Sequence, residues 1–335
     1  MSRFGAAILA PLGPRITEEE RRLFARSNPF GFILFARNLE TPDQIRALTA
    51  ELRDAVGRDA PVFIDQEGGR VQRLRPPLAR DWAPPLDFAG AHGDVAAKAL
   101  YLRYRIIAAE LRSYGIDGNC APTLDVARPG THAILRDRCL GNGVTEVTER
   151  GRAVAQAHFD GGVLPVMKHM PGHGLAQLDS HLALPRISEA PDVLMGTDFA
   201  VFRAFADLPL GMSAHLVFEA FDPANPATVS PRMIELIRAE LGFRGFLMTD
   251  DISMEALSGS VPERGAAAMA AGCDCVLHCN GDYEEMAPLM EEVGEMSAES
   301  HVRAVAALTA RRDPGEVDIE ALTAKLEALG SGRAG

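Results

Sequence analysis

The sequence predicts a single (β/α)8 barrel, an α/β fold, on two observations. Eight short apolar runs alternate with amphipathic stretches along the 335 residues. Most of these runs are continuous rather than alternating, as strands buried on both faces of a parallel sheet require. Polar residues also close the runs repeatedly, and the C-terminal rim of a barrel is where such side chains collect. A doubly wound open sheet is the competing arrangement.

The predicted strands are Ala6–Ala10, Gly31–Ala36, Pro61–Asp65, Ile116–Cys120, Leu164–His169, Leu210–His215, Gly245–Thr249 and Asp274–His278. Between them, Thr41-Pro42-Asp43-Gln44 reads as a capping box with Pro at the first helical position. Ile45, Leu48, Leu52 and Val56 follow at helical spacing, and Gly57 stops the helix. Asp94 is expected to cap a second helix with Leu100, Tyr104, Ile107, Ala108 and Leu111 on its buried stripe. Ser230-Pro231 opens a third, with Met233, Ile234, Ile237 and Leu241 inside. With no Pro/Ser-rich linker or repeat, residues 1–335 read as one domain, whose last ten or so Gly- and Ala-rich residues are expected to fray. The connection from Pro171 to about Pro185 is long for a βα loop, and its glycines suit a flap over the barrel mouth.

Composition narrows the function. A net charge of −12 leaves no basic excess to displace counterions, so a nucleic-acid backbone is excluded as partner. The N-terminus lacks the apolar stretch of a secretory signal, and no apolar run approaches the roughly 18 residues of a membrane span. The five cysteines are odd in number and read as reduced thiols of a cytoplasmic protein. Cys273-x-Cys275-x3-Cys279 lies across a predicted buried strand and lacks paired zinc spacing. No metal or cofactor is expected.

The densest chemistry lies in Lys168-His169-Met170-Pro171-Gly172-His173-Gly174 and in Asp179-Ser180-His181. Lys168 and His169 close the fifth strand and suit sugar hydroxyls. Asp179, two residues from His181, would orient the imidazole and raise its pKa, making His181 a proton donor near neutral pH. Asp250 ends the seventh strand, where a carboxylate can serve as nucleophile or base. Asp251 should point the other way and cap the next helix. Asp65 and Arg73, around the Gly68-Gly69 turn, could grip a hydroxylated ligand, and Arg136 and Arg138 add positive charge to a loop.

Assembled, these blocks resemble glycoside hydrolase family 3, in particular the bacterial single-domain β-N-acetylglucosaminidases of peptidoglycan recycling. The family's Asp-Gln-Glu-Gly-Gly-Arg-Val-Gln-Arg block corresponds to Asp65 to Arg73. Its Lys-His-Phe-Pro-Gly-His-Gly block corresponds to Lys168 to Gly174 with Met170 for the aromatic, and its Asp-Ser-His and Ser/Thr-Asp blocks to Asp179 to His181 and Thr249-Asp250. The resemblance implies a covalent glycosyl-enzyme on Asp250, acid/base catalysis by His181 assisted by Asp179, and an N-acetylglucosamine ring held by Asp65, Arg73, Arg138, Lys168 and His169. It implies hydrolysis of muropeptides in which N-acetylglucosamine is joined to an anhydro-muramyl peptide, by a cytoplasmic monomer or weak homodimer. A His–Asp acid/base does not repel an incoming anion, so a phosphorylase using the same residues is the alternative. Two further readings compete: a metal-dependent hydrolase built on His169, His173, His181 and Asp250, and a non-catalytic sugar-binding barrel. One departure stands out. The family's Gly-Asp-Arg-Ser-Phe is here Arg136-Asp137-Arg138-Cys139-Leu140, with a bulky residue two positions before Arg138.

Overall fold

A computed structural model describes residues 3–176, 184–315 and 317–331. Eight parallel strands close into a barrel in sequential order. They are β1 (Gly5–Leu9), β2 (Pro29–Leu34), β3 (Val62–Ile64), β4 (Gly118–Asn119), β5 (Leu164–Met170), β6 (Leu210–Ser213), β7 (Phe246–Asp251) and β8 (Cys275–His278). Each coincides with one of the eight apolar runs, and β1 pairs with β8 to complete the ring.

The continuous apolar runs are explained by two cores. Ile8, Ile33, Phe63, Val166, Met212, Phe246, Met248 and Leu277 pack with one another inside the barrel. Leu9, Phe32, Ile64, Met167, Leu247 and Val276 instead join the layer packed with the surrounding helices. Strand residues on both faces are thus shielded from water, and an alternating pattern would have placed polar groups in one of the cores. Gly118 has no side chain because the Phe63 ring fills the space its Cβ would take.

The helix signals met mixed outcomes. Thr41 caps Pro42–Val56 by accepting from the Gln44 N–H, and Gly57 ends that helix at φ 64°. The reciprocal half of the expected box is absent, because Gln44 Oε1 accepts from the Glu40 N–H instead. Ser230 caps Pro231–Glu235 through the Met233 N–H, and a π-helical turn continues the helix over Leu236–Glu240. Asp94 does not cap: it lies in the 3-10 turn Gly93–Val95, and helix Ala96–Ser113 follows directly with no side-chain cap. At the C-terminal end, Ile319–Ser331 form a helix whose Leu326 is buried, so regular structure runs further than the composition there suggests. Among the described residues no helix is long and apolar enough to cross a membrane.

At the N-terminal end of the barrel, buried Asp117 pairs with Arg53 at 3.2 Å and with Arg311. This ties the segment after helix Ala298–Thr309 to the barrel bottom and leaves the opposite rim free for chemistry.

Candidate active site

A cavity of about 210 Å³ opens at the C-terminal ends of the strands. It is lined by Asp65 after β3, Lys168 and His169 of β5, Asp250 and Asp251 of β7, and by Arg73 and Arg138 from loops. The six described residues expected to act on or hold a sugar, Asp65, Arg73, Arg138, Lys168, His169 and Asp250, therefore meet in one place. Asp179 and His181 lie outside the described residues.

Local irregularities aim these side chains. In β5, Met167 and Met170 pair with Gly211 and Ser213, so three steps on one strand oppose two on its neighbour. The same mismatch occurs in β7, where Met248 and Asp251 pair with Cys275 and Leu277. An extra residue in a pair interrupts the alternation of faces. Lys168 and His169, whose shared peptide bond is cis, both line the cavity. Asp250 and Asp251 also both line it, which corrects the expectation that Asp251 points away.

Asp251 is not a helix cap either. Its carboxylate accepts from the Ser253 N–H at 3.1 Å, the Ser253 hydroxyl at 2.8 Å and the Cys279 N–H at 3.2 Å. The following helix, Val261–Ala271, is capped by Ser260. Asp251 thus shapes the turn after β7, while the Asp250 carboxylate takes only the Asp251 N–H, at 2.8 Å, as a hydrogen bond from the described residues. Burial alone would raise the Asp250 pKa, but His169, His215 and the Asp251 N–H outweigh it, and Lys168 adds to them. The group is held below the usual carboxylate range.

The remaining groups form one continuous chain. Arg73 donates to Asp65 at 3.0 Å, and Lys168 donates to Asp65 at 2.8 Å and pairs with Glu67 at 2.7 Å. Arg138 grips Glu67 in a two-pronged pair, Nε to Oε2 at 2.9 Å and Nη2 to Oε1 at 2.8 Å. Arg138 Nη2 also lies 3.3 Å from His169 Nε2, and His169 Nδ1 lies 2.7 Å from Asp125 Oδ2. A guanidinium can only donate, so this network assigns the His169 proton to Nδ1, where it is given to Asp125. Asp125 Oδ1 accepts the His173 N–H at 2.7 Å as well.

Burial opposes ionisation of Asp65 and Glu67. Lys168 and Arg73 nevertheless hold Asp65 far below the usual range, and Arg138 with Lys168 holds Glu67 at about 2. His173, which also lines the cavity, is pushed down to about 4 by burial and by His169.

The chain matches the Glycosyl hydrolase family 3 N terminal domain over residues 5–309. It belongs to glycosyl hydrolase family 3. This family 3 enzyme, a glycoside hydrolase, is 40% identical over 286 residues to a β-hexosaminidase of Alkalilimnicola ehrlichii, covering 82% of this chain and 81% of that protein. It is 36% identical to a β-hexosaminidase of Methylococcus capsulatus over 94% of each chain. Among solved structures, it superimposes on NagZ from Neisseria gonorrhoeae with a TM-score of 0.84 and 28% identity, over 98% of this chain and 97% of that one. A family 3 β-N-acetylglucosaminidase from Paenibacillus gives a TM-score of 0.87 at 30% identity, over 97% of this chain and 67% of that one.

The hydrolase departs from the family block at Arg136 without disturbing Arg138. Arg136 ends the short helix Ala133–Arg136 and is exposed, while Arg138 turns inward to Glu67. Three buried residues that support the cavity wall from behind have no role assigned from the sequence. Glu67 pairs with two cations; Asp125 orients His169; and His215, buried behind the cavity, donates from Nε2 to the Asp251 carbonyl at 2.9 Å while Thr228 holds its Nδ1 at 2.8 Å. The sequence signal for His215 is its place at the end of the predicted strand Leu210–His215, and for Asp125 its place shortly after the predicted strand Ile116–Cys120. The one available signal for Glu67 was an acidic side chain buried in a motif otherwise rich in turn residues. Asn280, just past β8, is turned away to Glu285, to which it donates at 2.6 Å.

Proposed function

We propose that this β-N-acetylhexosaminidase cleaves terminal β-linked N-acetylglucosamine with retention, by way of a covalent ester on Asp250. The observation that carries the reading is the Asp250 carboxylate. It is ionised, faces the cavity, and makes no ion pair with any described residue, unlike Asp65 and Glu67 beside it. In the first step Asp250 attacks the anomeric carbon, the glycosidic C–O bond breaks, and the leaving oxygen takes a proton from His181. In the second, His181 accepts a proton from water, the water oxygen attacks the anomeric carbon, and the ester bond to Asp250 breaks. Asp179 assists His181. Asp65, Arg73, Arg138, Lys168 and His169 hold the sugar ring.

Charge supports water over phosphate as the second nucleophile. Arg73, Lys168 and Arg138 are each already paired with a carboxylate on the cavity floor, and Arg70 at the mouth is exposed to solvent. Four carboxylates, Asp65, Glu67, Asp250 and Asp251, stand against these three floor cations, so the floor carries a net negative charge that stabilises a cationic sugar transition state and repels phosphate. The natural substrate in this reading is a cytoplasmic muropeptide, N-acetylglucosamine linked to an anhydro-muramyl peptide, taken by a monomer or weak homodimer. The engagement of both His169 ring nitrogens, by Asp125 and Arg138, weighs against the metal-dependent alternative.

The test is cleavage of 4-nitrophenyl N-acetyl-β-glucosaminide by wild type, Asp250→Ala and His181→Ala. Both variants are expected to lose activity severely, and wild-type turnover by Asp250→Ala would overturn the reading. Release of a sugar 1-phosphate in phosphate buffer would establish the phosphorylase instead. Comparing a muropeptide disaccharide with a plain N-acetylglucosamine disaccharide tests the substrate, with faster turnover of the muropeptide expected.

A further inference from the structure

We propose that Glu67 is a positioning residue for glycoside cleavage: it fixes Arg138 and Lys168, the two cations that grip the sugar, as one preset unit. The inference rests on the functional reading above.

Glu67 is 1% exposed, and both of its carboxylate oxygens are committed. Arg138 takes both prongs and Lys168 shares Oε1 at 2.7 Å. The two cations come from a loop after β4 and from β5, and at such close quarters they repel each other. A single carboxylate between them cancels that repulsion and sets their separation. Without it, Arg138 is left to its long contact with His169, and Lys168 to Asp65 alone.

The backbone of Glu67 is itself anchored from behind. Its carbonyl accepts from the Arg103 guanidinium and from the Tyr104 hydroxyl at 3.1 Å. Arg103 is fully buried and has no carboxylate partner among the described residues. It sits against the rings of Phe88, Trp82 and Tyr104, with its Cζ 4.7, 5.3 and 5.5 Å from their centroids. Gly68 runs at φ 107°, and a Cβ there would overlap the Arg103 guanidinium. The aromatic cage therefore holds Arg103, Arg103 holds the Glu67 carbonyl, and the Glu67 side chain holds the sugar-gripping cations. A buried cation spent on a backbone carbonyl is hard to explain by packing, since an apolar side chain would fill the same space without desolvating a charge.

The experiment compares wild type, Glu67→Gln and Glu67→Asp on 4-nitrophenyl N-acetyl-β-glucosaminide, reading KM and kcat separately across pH. Thermal melting establishes which variants fold. A role in holding the sugar grip raises KM by about tenfold or more in Glu67→Gln, with a smaller change in kcat. Glu67→Asp keeps the charge but is one methylene short, so KM falls between the two; should Glu67→Gln fail to fold, this variant carries the test. A second readout is specific to positioning by charge. Burial depresses the Lys168 pKa while Asp65 and Glu67 hold it high. Losing the Glu67 charge therefore moves the alkaline limb of kcat/KM to lower pH, and Glu67→Asp restores it. A folded variant with KM within twofold of wild type and an unmoved alkaline limb overturns the proposal. So does a fall in kcat alone at constant KM. Inactivity of the wild type on this substrate would instead count against the functional reading itself.

Discussion

Asp125→Asn replaces one oxygen by an NH2 group and leaves the shape of the side chain intact, yet the hydrogen-bond pattern predicts a large effect. Oδ1 of Asp125 faces two backbone donors, the N–H groups of His173 at 2.7 Å and His169 at 3.4 Å. The surviving amide oxygen must stay there, because an NH2 would confront two donors. The NH2 then takes the place of Oδ2 and donates to His169 Nδ1. That forces the ring proton onto Nε2, where it faces the guanidinium of Arg138, 3.3 Å away. The perturbation removes one charge-assisted hydrogen bond, about 1.5–3 kcal/mol, and turns the Arg138 contact into a clash of donors, about 0.5–1 kcal/mol more. Taking about 2 kcal/mol at the low end, kcat/KM falls about 30-fold. The assay is steady-state cleavage of 4-nitrophenyl N-acetyl-β-glucosaminide, with the His169 tautomer read by nitrogen NMR and folding checked by thermal melting. A folded Asp125→Asn enzyme with kcat/KM within about threefold of wild type, or with His169 still protonated on Nδ1, would refute the reasoning.

Two further outcomes follow from the same contacts. Burial pushes His158 and His173 down to about 4 from the ordinary 6.5, so the unfolded chain takes up protons below pH 6.5 that the folded chain refuses. Stability is therefore full above 6.5 and declines as pH falls toward 4. The ionised Glu67, held at about 2 against an ordinary 4.5, adds a second loss as pH falls from 4.5 toward 2. The thermal midpoint should drop across the first window, with a shallower slope in His158→Gln; an unchanged slope would contradict the assignment. Asp274, buried between the barrel and helix Ala298–Thr309, pairs with Arg238 and Arg303 at 2.7 Å each and accepts from the Leu247 N–H at 2.8 Å. Asp274→Ala should cost about 3 kcal/mol of stability, at the low end for a broken buried pair because both arginines keep some contact with water. In denaturant melts the midpoint should fall, while kcat/KM per folded molecule stays at the wild-type value.

The barrel was legible because each strand is shielded on both faces, so its identity is written as a run of apolar residues that needs no knowledge of partners. Lys168, His169 and Asp250 were legible because they interrupt such runs at the end where the barrel opens. What could not be read is whatever depends on pairing between distant segments. Glu67 looks like one more polar residue in a turn until Arg138, 71 positions away, closes on it. Asp251 had the local pattern of a helix cap, but a register shift between β7 and β8 turned it into the cavity wall and gave its oxygens to Ser253 and Cys279. Asp94 failed as a cap because the chain had already entered a 3-10 turn before Ala96. Caps at Thr41 and Ser230 succeeded because their partners lie three residues on, within reach of local sequence alone.

The central claim is that Asp250 forms a bond to the sugar. Treating the enzyme with a fluorinated N-acetylglucosaminyl fluoride, which slows breakdown of a glycosyl ester, and mapping the adduct by mass spectrometry tests it directly. The expected result is a single modified peptide, Gly245 to Arg264, with the sugar on Asp250 and the β-anomer as the first product of normal turnover. An adduct on any other residue, or release of the α-anomer, would contradict it.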